Sequence, residues 1–198
     1  MRYLSVFKKD EDVLKALSDI HLKGKWYDLD FTYSKGVFYE NIERPKYVSD
    51  LYPQYEYCIK DDSTKLDCFV DYSLGSIVFD PPFLFRNRKS DNNDRMSQRF
   101  TYFKSYKELL DMYYNSLICF NRKLKHNGYV FFKCQDMTDG KFYPTHYEVI
   151  KMANMLGYEV KDIAIKVSKS KLQKDAKQQN CVAKVHSYWL VLKKDCAK

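Results

Sequence analysis

The fold of this chain is decided by one stretch, Ser76-Ile77-Val78-Phe79-Asp80-Pro81-Pro82-Phe83. An apolar run that contains two β-branched residues ends in an acid and two prolines, which predicts a buried strand followed by a rigid turn. Each proline fixes its own φ and has no N–H to donate, and the residue before a proline is held extended. We therefore expect the Asp80 carboxylate at the carboxyl end of a central strand, where open α/β sheets bind ligands.

These groups suit the methylation of an exocyclic amine on a nucleic-acid base. The lone pair of such an amine is delocalised into the ring, and acceptors for its two N–H bonds favour the geometry in which that pair points at an electrophile. The Asp80 carboxylate and the Pro81 carbonyl are such acceptors, and Phe83 could stack on a base turned out of its helix. An ordinary strand-to-loop turn capped by an aspartate is the other interpretation. The candidate catalytic residues are Asp80, Pro81, Pro82 and Phe83.

The length and composition favour a single domain, and the charge favours a polyanion as its binding partner. The chain has 198 residues, of which 45% are hydrophobic and 30% charged, so one domain with an adequate core is expected over residues 1–198. Its formal net charge is +8. Lys and Arg contacts to phosphates dominate non-specific nucleic-acid binding, so this balance favours DNA or RNA as the partner. A basic protein without such a partner is the alternative.

The six cysteines and the N-terminus argue for a reduced, cytoplasmic protein. No C-x-x-C pair or paired Cys/His spacing is present, so we expect neither a zinc site nor a disulfide framework, and the proposed chemistry needs no metal. The N-terminal residues lack the apolar core of a signal peptide. No run approaches the ~20 apolar residues of a membrane-spanning helix, so no membrane partner is expected.

Strand and helix patterns alternate along the chain, which predicts one domain built on a mainly parallel sheet. Apolar periodicity predicts helices at residues 10–22, 106–124 and 144–156, the first capped by Asp10 and the second closed by Asn127-Gly128. Residues 86–104 are rich in Arg, Asn, Asp and Ser, which indicates a loop. The predicted strands are 26–31, 46–50, 76–79, 129–134, 159–167 and 187–192.

A methyl donor would have to lie near the strand ends that precede Asp80. Asp30-x-x-x-Ser34-x-Gly36 has the spacing of a D-x-x-x-G-x-G turn with Ser in place of the first Gly. Gly36 would allow backbone to approach a ligand closely. Asp50 ends the next predicted strand, where an acid can accept hydrogen bonds from ribose hydroxyls, and Asp62 could lie beside an adenine ring. Each acid alone is more often a turn former. The candidate cofactor-binding residues are Asp30, Thr32, Ser34, Gly36, Asp50 and Asp62.

Six segments of the chain together resemble the motifs of small bacterial and phage S-adenosylmethionine-dependent DNA methyltransferases. The resemblance spans about residues 28–192 and is carried by 30–39, 49–53, 80–83, 97–100, 132–136 and 186–191. It implies a class I Rossmann-like fold with a seven-stranded, mostly parallel sheet, whose last strand is antiparallel, and helices on both faces. It also implies S-adenosyl-L-methionine as cofactor and an exocyclic base nitrogen, usually adenine N6, as acceptor.

The chain departs from that family in two respects. Ser34 replaces the usual glycine, and nearly the whole chain is spent on the catalytic fold, which leaves no separate target-recognition domain. Site choice, if there is any, is then left to loops, to a homodimer or to a specificity partner. Charged and polar side chains that could contact DNA are Arg86, Arg88, Arg95, Arg99, Lys133, Gln135 and His186. At the end of their predicted strand, Lys133 and Gln135 would line the base pocket or fix the Asp80 loop. A solvated loop, a polar strand end and a structural histidine are the alternatives for these residues.

The sequence therefore predicts a DNA adenine-N6 methyltransferase, either site-specific or non-specific. One alternative keeps the chemistry and changes the acceptor to cytosine N4, RNA or a protein amine. The other alternative is a non-catalytic nucleic-acid-binding module with a degenerate methyltransferase fold.

Overall fold

The computed structural model describes residues 2–85, 103–139, 141–168 and 181–195. Three α-helices are present in these ranges, α1 Asp10–His21, α2 Tyr106–Lys123 and α3 Thr145–Met155, with a 3₁₀ turn at Val37–Tyr39. The strands of the same ranges are β1 Val6–Phe7, β2 Leu29–Asp30, β3 Tyr47–Asp50, β4 Ile59–Lys60, β5 Leu74–Phe79, β6 Leu124–Cys134, β7 Met137–Asp139, β8 Lys141–Tyr143, β9 Tyr158–Val167 and β10 His186–Lys194.

Eight strands form one sheet in the order β1-β9-β10-β6-β5-β2-β3-β4. All neighbours are parallel except β10, which is antiparallel to both β6 and β9. The predicted mostly parallel sheet with an antiparallel last strand is confirmed. The sheet has eight strands and not the predicted seven, because β1 adds in parallel to the free edge of β9, with Val6 opposite Ile165.

Helices cover both faces of the sheet, as predicted. Along β5 the side chains alternate, so Ile77 and Phe79 pack in the apolar cluster with α2 and α3, while Val78 packs in the cluster with α1. Burial on both faces explains why β5 reads as a continuous apolar run. The rings of Phe120 in α2 and Phe79 pack edge to face, with 4.9 Å between their centres. Leu14 of α1 is fully buried in the cluster on the other face.

Two predictions about helix ends are wrong. The helix α2 does not end at Asn127-Gly128, because the N–H groups of Tyr72 and Ser73 donate to the carbonyls of its last two residues and the chain passes directly into β6. Those bonds satisfy carbonyls that a helix otherwise leaves unpaired. Asp10 is not the cap of α1 either: the capping position is Lys9, without a side-chain cap bond.

None of the helices in the described ranges is both long enough and apolar enough to cross a membrane.

Candidate active site

The carboxyl ends of the parallel strands bring several predicted site residues to one edge of the sheet. Asp30 and Asp50 end β2 and β3, Asp80 follows β5, and Gln135 follows β6. Because β10 is antiparallel to β6, its first residue, His186, reaches the same edge. The strand topology therefore brings together side chains that are separated by up to more than 150 residues along the chain, from Asp30 to His186.

Asp80 has one carboxylate oxygen that is paired and one that is not. Its Oδ2 accepts from Lys133 Nζ at 3.3 Å, and its own N–H donates to Thr32 Oγ1 at 2.6 Å. Oδ1 is shielded from solvent and has no hydrogen-bond partner among the described residues. Burial raises the pKa of Asp80, and the nearby Lys133 ammonium only partly opposes this. A buried acceptor without a donor is costly, so Oδ1 lacks a hydrogen bond that the described residues do not supply.

The turn after Asp80 is fixed by a contact to α2. The hydroxyl of Tyr113 donates to the Pro82 carbonyl at 2.9 Å, and Tyr113 itself is fully buried. Pro81 is buried and Phe83 is half-buried. The turn is therefore anchored on its helix side, while the Phe83 ring keeps some exposed surface.

Lys133 lies inside the protein. It is 8% exposed, and Nζ lies 3.3 Å from Asp80 Oδ2 and 3.1 Å from Asp10 Oδ1. The ammonium also lies 4.5 Å from the centre of the Phe38 ring. Burial acts to lower the pKa of Lys133, but the two carboxylates outweigh it and the pKa is raised. A lysine paired in this way is poorly placed to contact a DNA phosphate directly, and its neighbour Asp10 was not among the predicted site residues.

Asp30 faces the protein interior. It is 1% exposed; Oδ1 accepts from the Thr32 N–H at 2.7 Å and from Thr32 Oγ1 at 3.3 Å, and Oδ2 accepts from the Tyr39 hydroxyl at 2.6 Å. Burial raises the pKa of Asp30 to about 7 although these hydrogen bonds act to lower it. Thr32 bonds to both acids, since it also accepts from the Asp80 N–H. Asp30, Thr32, Asp80 and Lys133 thus form one connected network.

Asp50 and Ser34 form a second group beside this network. Asp50 Oδ2 accepts from the Ser34 N–H and Oδ1 from the Tyr52 N–H, each at 2.8 Å. Each carboxylate oxygen can accept a further hydrogen bond, and Asp50 is only half-buried. Ser34 has a φ of +48°, a conformation that favours glycine, which explains why this position of the motif usually carries one. Asp50 is therefore partly exposed and keeps capacity to accept further hydrogen bonds.

Gly36 has a structural explanation that needs no ligand. Its φ is +67°, and a Cβ at this position would lie 2.5 Å from the Tyr33 ring. Tyr33 is buried and stacks on Tyr39 at 5.8 Å between ring centres. The close approach that we predicted at Gly36 is therefore made by a side chain of the same loop.

The remaining predicted residues make local contacts or lie outside the described ranges. Asp62 Oδ1 accepts from the N–H and hydroxyl of Thr64, as in a tight turn. Gln135 Nε2 donates to the Lys184 carbonyl at 3.3 Å, and His186 Nε2 lies 2.9 Å from the Tyr188 hydroxyl. The arginines at 86, 88, 95 and 99 lie outside the described residues.

The acids at this edge of the sheet differ in their remaining capacity for hydrogen bonds. The unpartnered Oδ1 of Asp80 calls for a donor, and Asp50 offers acceptors to hydroxyls. Among residues 2–85, 103–139, 141–168 and 181–195, no three His, Cys, Asp or Glu side chains come together as metal ligands would.

Comparisons with known proteins support the fold. No model of a known protein family matches the chain, and no curated protein matches it. Two similar solved structures are a Lactococcus lactis protein described as a candidate hemolysin (18% identity, 94% of this chain and 86% of that chain covered, TM-score 0.54) and TrmN from Thermus thermophilus (14% identity, 93% and 48% covered, TM-score 0.52).

A third structure is that of a candidate DNA modification methylase, also from Thermus thermophilus, in complex with S-adenosyl-L-methionine. It is 15% identical, the match covers 69% of this chain and 54% of that chain, and the TM-score of 0.47 is too low to carry an argument. The chain spans about half the length of the methylase structures from that organism. At these identities the likeness concerns the fold alone, and together with the strand order it identifies a class I Rossmann-like methyltransferase fold.

Proposed function

We propose that the chain is an S-adenosylmethionine-dependent methyltransferase whose acceptor is an exocyclic amine of a DNA base, adenine N6. The observation that carries this proposal is the buried Oδ1 of Asp80, which has no partner among the described residues and lies at the carboxyl end of a central strand. An amine N–H supplies the donor that this oxygen lacks. The prolines that follow Asp80 remove the N–H groups that could otherwise have taken that place.

The roles of the other residues follow from their positions around Asp80. In this proposal the Pro81 carbonyl accepts the second N–H of the amine, and Phe83 stacks on a base turned out of the duplex. Asp50 binds the ribose hydroxyls of the cofactor, while Asp30 and Thr32 keep the loop after β2 against Asp80. Bound S-adenosylmethionine supplies a methyl group on a positively charged sulfur. With the donor bound, the amine nitrogen would form the new N–C bond as the S–C bond breaks, S-adenosylhomocysteine would leave, and one amine proton would pass to solvent.

The experiment that tests the proposal measures transfer of a labelled methyl group to DNA, RNA and protein side by side. We expect transfer to DNA, with N6-methyladenine as the product after digestion to nucleosides. Asp80→Asn should abolish transfer and leave DNA affinity largely intact, because the amide replaces one acceptor by a donor. Asp111→Asn, on an exposed part of α2, is the matched control and should retain activity. Full transfer by Asp80→Asn would contradict the assignment.

One set of observations favours a second candidate, a non-catalytic nucleic-acid-binding module. The oxygens of Asp30 are all bonded within the protein, and the Tyr33 ring covers Gly36. Two of the predicted cofactor-binding residues are thus explained without a cofactor. Calorimetry with S-adenosylhomocysteine distinguishes the candidates, because a methyltransferase binds this product and the module does not. Absence of binding at millimolar ligand would favour the module.

A further inference from the structure

Asp10, the first residue of α1, connects the N-terminal helix to the candidate active site. Its Oδ1 lies 3.1 Å from Lys133 Nζ and accepts from Trp189 Nε1 at 2.9 Å. Its Oδ2 lies 3.8 Å from Lys166 Nζ. The side chain is 13% exposed, and Trp189 is fully buried. These contacts hold the carboxylate in one place, next to the ammonium that also pairs with Asp80.

The two acids and two lysines of this cluster balance in charge. Asp10 and Asp80 supply two negative charges, and Lys133 and Lys166 supply two positive charges. Lys133 has its side chain 10% exposed, so water screens its charge poorly. Without Asp10 the cluster would carry one positive charge in excess. Lys133 would also be free to move fully onto Asp80 and to occupy the oxygen that is now unpartnered.

We propose that Asp10 is a positioning residue that divides Lys133 between two carboxylates, and so leaves Asp80 Oδ1 without a protein donor and keeps the charges of these two acids and two lysines balanced beside a cationic methyl donor. The inference rests on the proposed function, because a sulfonium cofactor is what makes the charge of the site matter. The methyl group to be transferred has to lie beside the amine that Asp80 binds. The positive sulfur is therefore brought close to this cluster, whereas the spent cofactor, S-adenosylhomocysteine, has no charge on sulfur.

This difference between the two ligands gives a test that a general loss of structure does not imitate. Calorimetry on the full chain would measure the affinities of S-adenosylmethionine and S-adenosylhomocysteine for the wild type and for Asp10→Asn. We expect the preference for the sulfonium ligand to fall by about tenfold in the variant, the size expected for one partly screened charge about 10 Å away. Equal weakening of both ligands would overturn the inference.

Two further variants fix the interpretation. Asp12→Asn removes an exposed acid from the same helical turn, and we expect the preference between the ligands to stay unchanged. Lys133→Met removes a positive charge, so the preference should shift toward the sulfonium ligand, opposite to Asp10→Asn. Circular dichroism would verify that each variant is folded. A shift in the same direction for Asp10→Asn and Lys133→Met would contradict the charge argument.

A measurement without any ligand separates this inference from the proposed function. The pKa of Asp80 can be followed by carbon NMR of its carboxyl group in the wild type and in Asp10→Asn. The charge of Asp10 acts to raise the pKa of Asp80 and Lys133 acts to lower it, so the variant should titrate at lower pH. An unchanged titration would overturn the inference even if the chain is a methyltransferase. If the wild type binds neither ligand, the proposed function fails, and with it the role of Asp10 toward a sulfonium.

Discussion

Thr32 is hydrogen-bonded to two acids of the candidate site, the buried Asp30 and the half-buried Asp80, and the two carboxylates differ in their hydrogen-bond partners. Both oxygens of Asp30 have donors, Thr32 for one and Tyr39 for the other, whereas Asp80 keeps one oxygen without a donor among the described residues. Neighbouring carboxylates with such different surroundings can serve different purposes. Asp30 holds the loop after β2 through Thr32 and Tyr39, and Asp80 is the acid to which we assign a ligand in the proposed function.

The pKa of Asp30 makes a prediction about stability. The value rises from 3.8 to about 7 in the folded chain. Between these values the folded state retains a proton that the unfolded state has released, so the free energy of unfolding falls as pH rises and levels off above pH 7. We expect Asp30→Asn to lack this decline, which is on the order of a few kcal/mol for a shift of this size.

The measurement is urea unfolding at intervals from pH 4 to pH 8. The variant keeps one acceptor and loses the other, so one of the bonds from Thr32 and Tyr39 is lost. This lowers its stability by a roughly constant amount and leaves the pH dependence as the informative quantity. Asp139→Asn, at an exposed position, serves as the control and should follow the wild type. Parallel curves for the wild type and Asp30→Asn would show that Asp30 does not titrate in this window.

At the scale of elements, the loop between β2 and β3 depends on one glycine. Gly36 and Gly24 share a left-handed backbone, with φ values of +67° and +75°, but only Gly36 has a neighbour within 4 Å of the place where a Cβ would lie. Gly36→Ala should therefore destabilise the chain by about 1–3 kcal/mol more than Gly24→Ala, because Tyr33 must move from its packed position. Thermal unfolding of both variants measures the difference. Equal losses would mean that Tyr33 moves aside freely.

The sequence predicted those elements whose pattern is long and regular. The helices α1, α2 and α3 and the strand β5 were found because their apolar spacing is clear, and the order of Asp30, Asp50 and Asp80 placed them at one edge of the sheet. β1 was missed because Val6 and Phe7 are too few to show a period. Asp10 was missed because its partners lie more than 120 residues away along the chain. Lys133 was expected to line the base pocket, to fix the Asp80 loop or to contact DNA, and the structure shows it buried and 3.3 Å from Asp80 Oδ2.

At the scale of the whole molecule, the acids of the site are embedded in a chain with a net charge of +8. A polyanion is attracted by the total charge at long range, but its affinity is set by the cations that displace counterions from the phosphates. Four arginines in the segment after Phe83 are the sequence-based candidates for these contacts, and they lie outside the described residues. The effect of total charge and the effect of these arginines can be separated by two variants that remove the same number of positive charges, one in this segment and one elsewhere on the surface.

Replacing these four arginines by glutamine should weaken DNA binding and flatten its salt dependence. Each phosphate contact adds about 0.9 to the slope of log affinity against log salt on duplex DNA, so the slope should become smaller by about 3–4. The control replaces four exposed lysines by glutamine, at Lys15, Lys65, Lys125 and Lys151. This variant has the same net charge as the arginine variant, but its slope should be nearly that of the wild type. Fluorescence anisotropy measures both slopes. The salt concentration is varied from about 50 to about 300 mM, because phosphate contacts are weakened over roughly this range. Equal slopes for the two variants would mean that total charge, and not this segment, governs binding, and the arginines would then have no direct role at the DNA backbone.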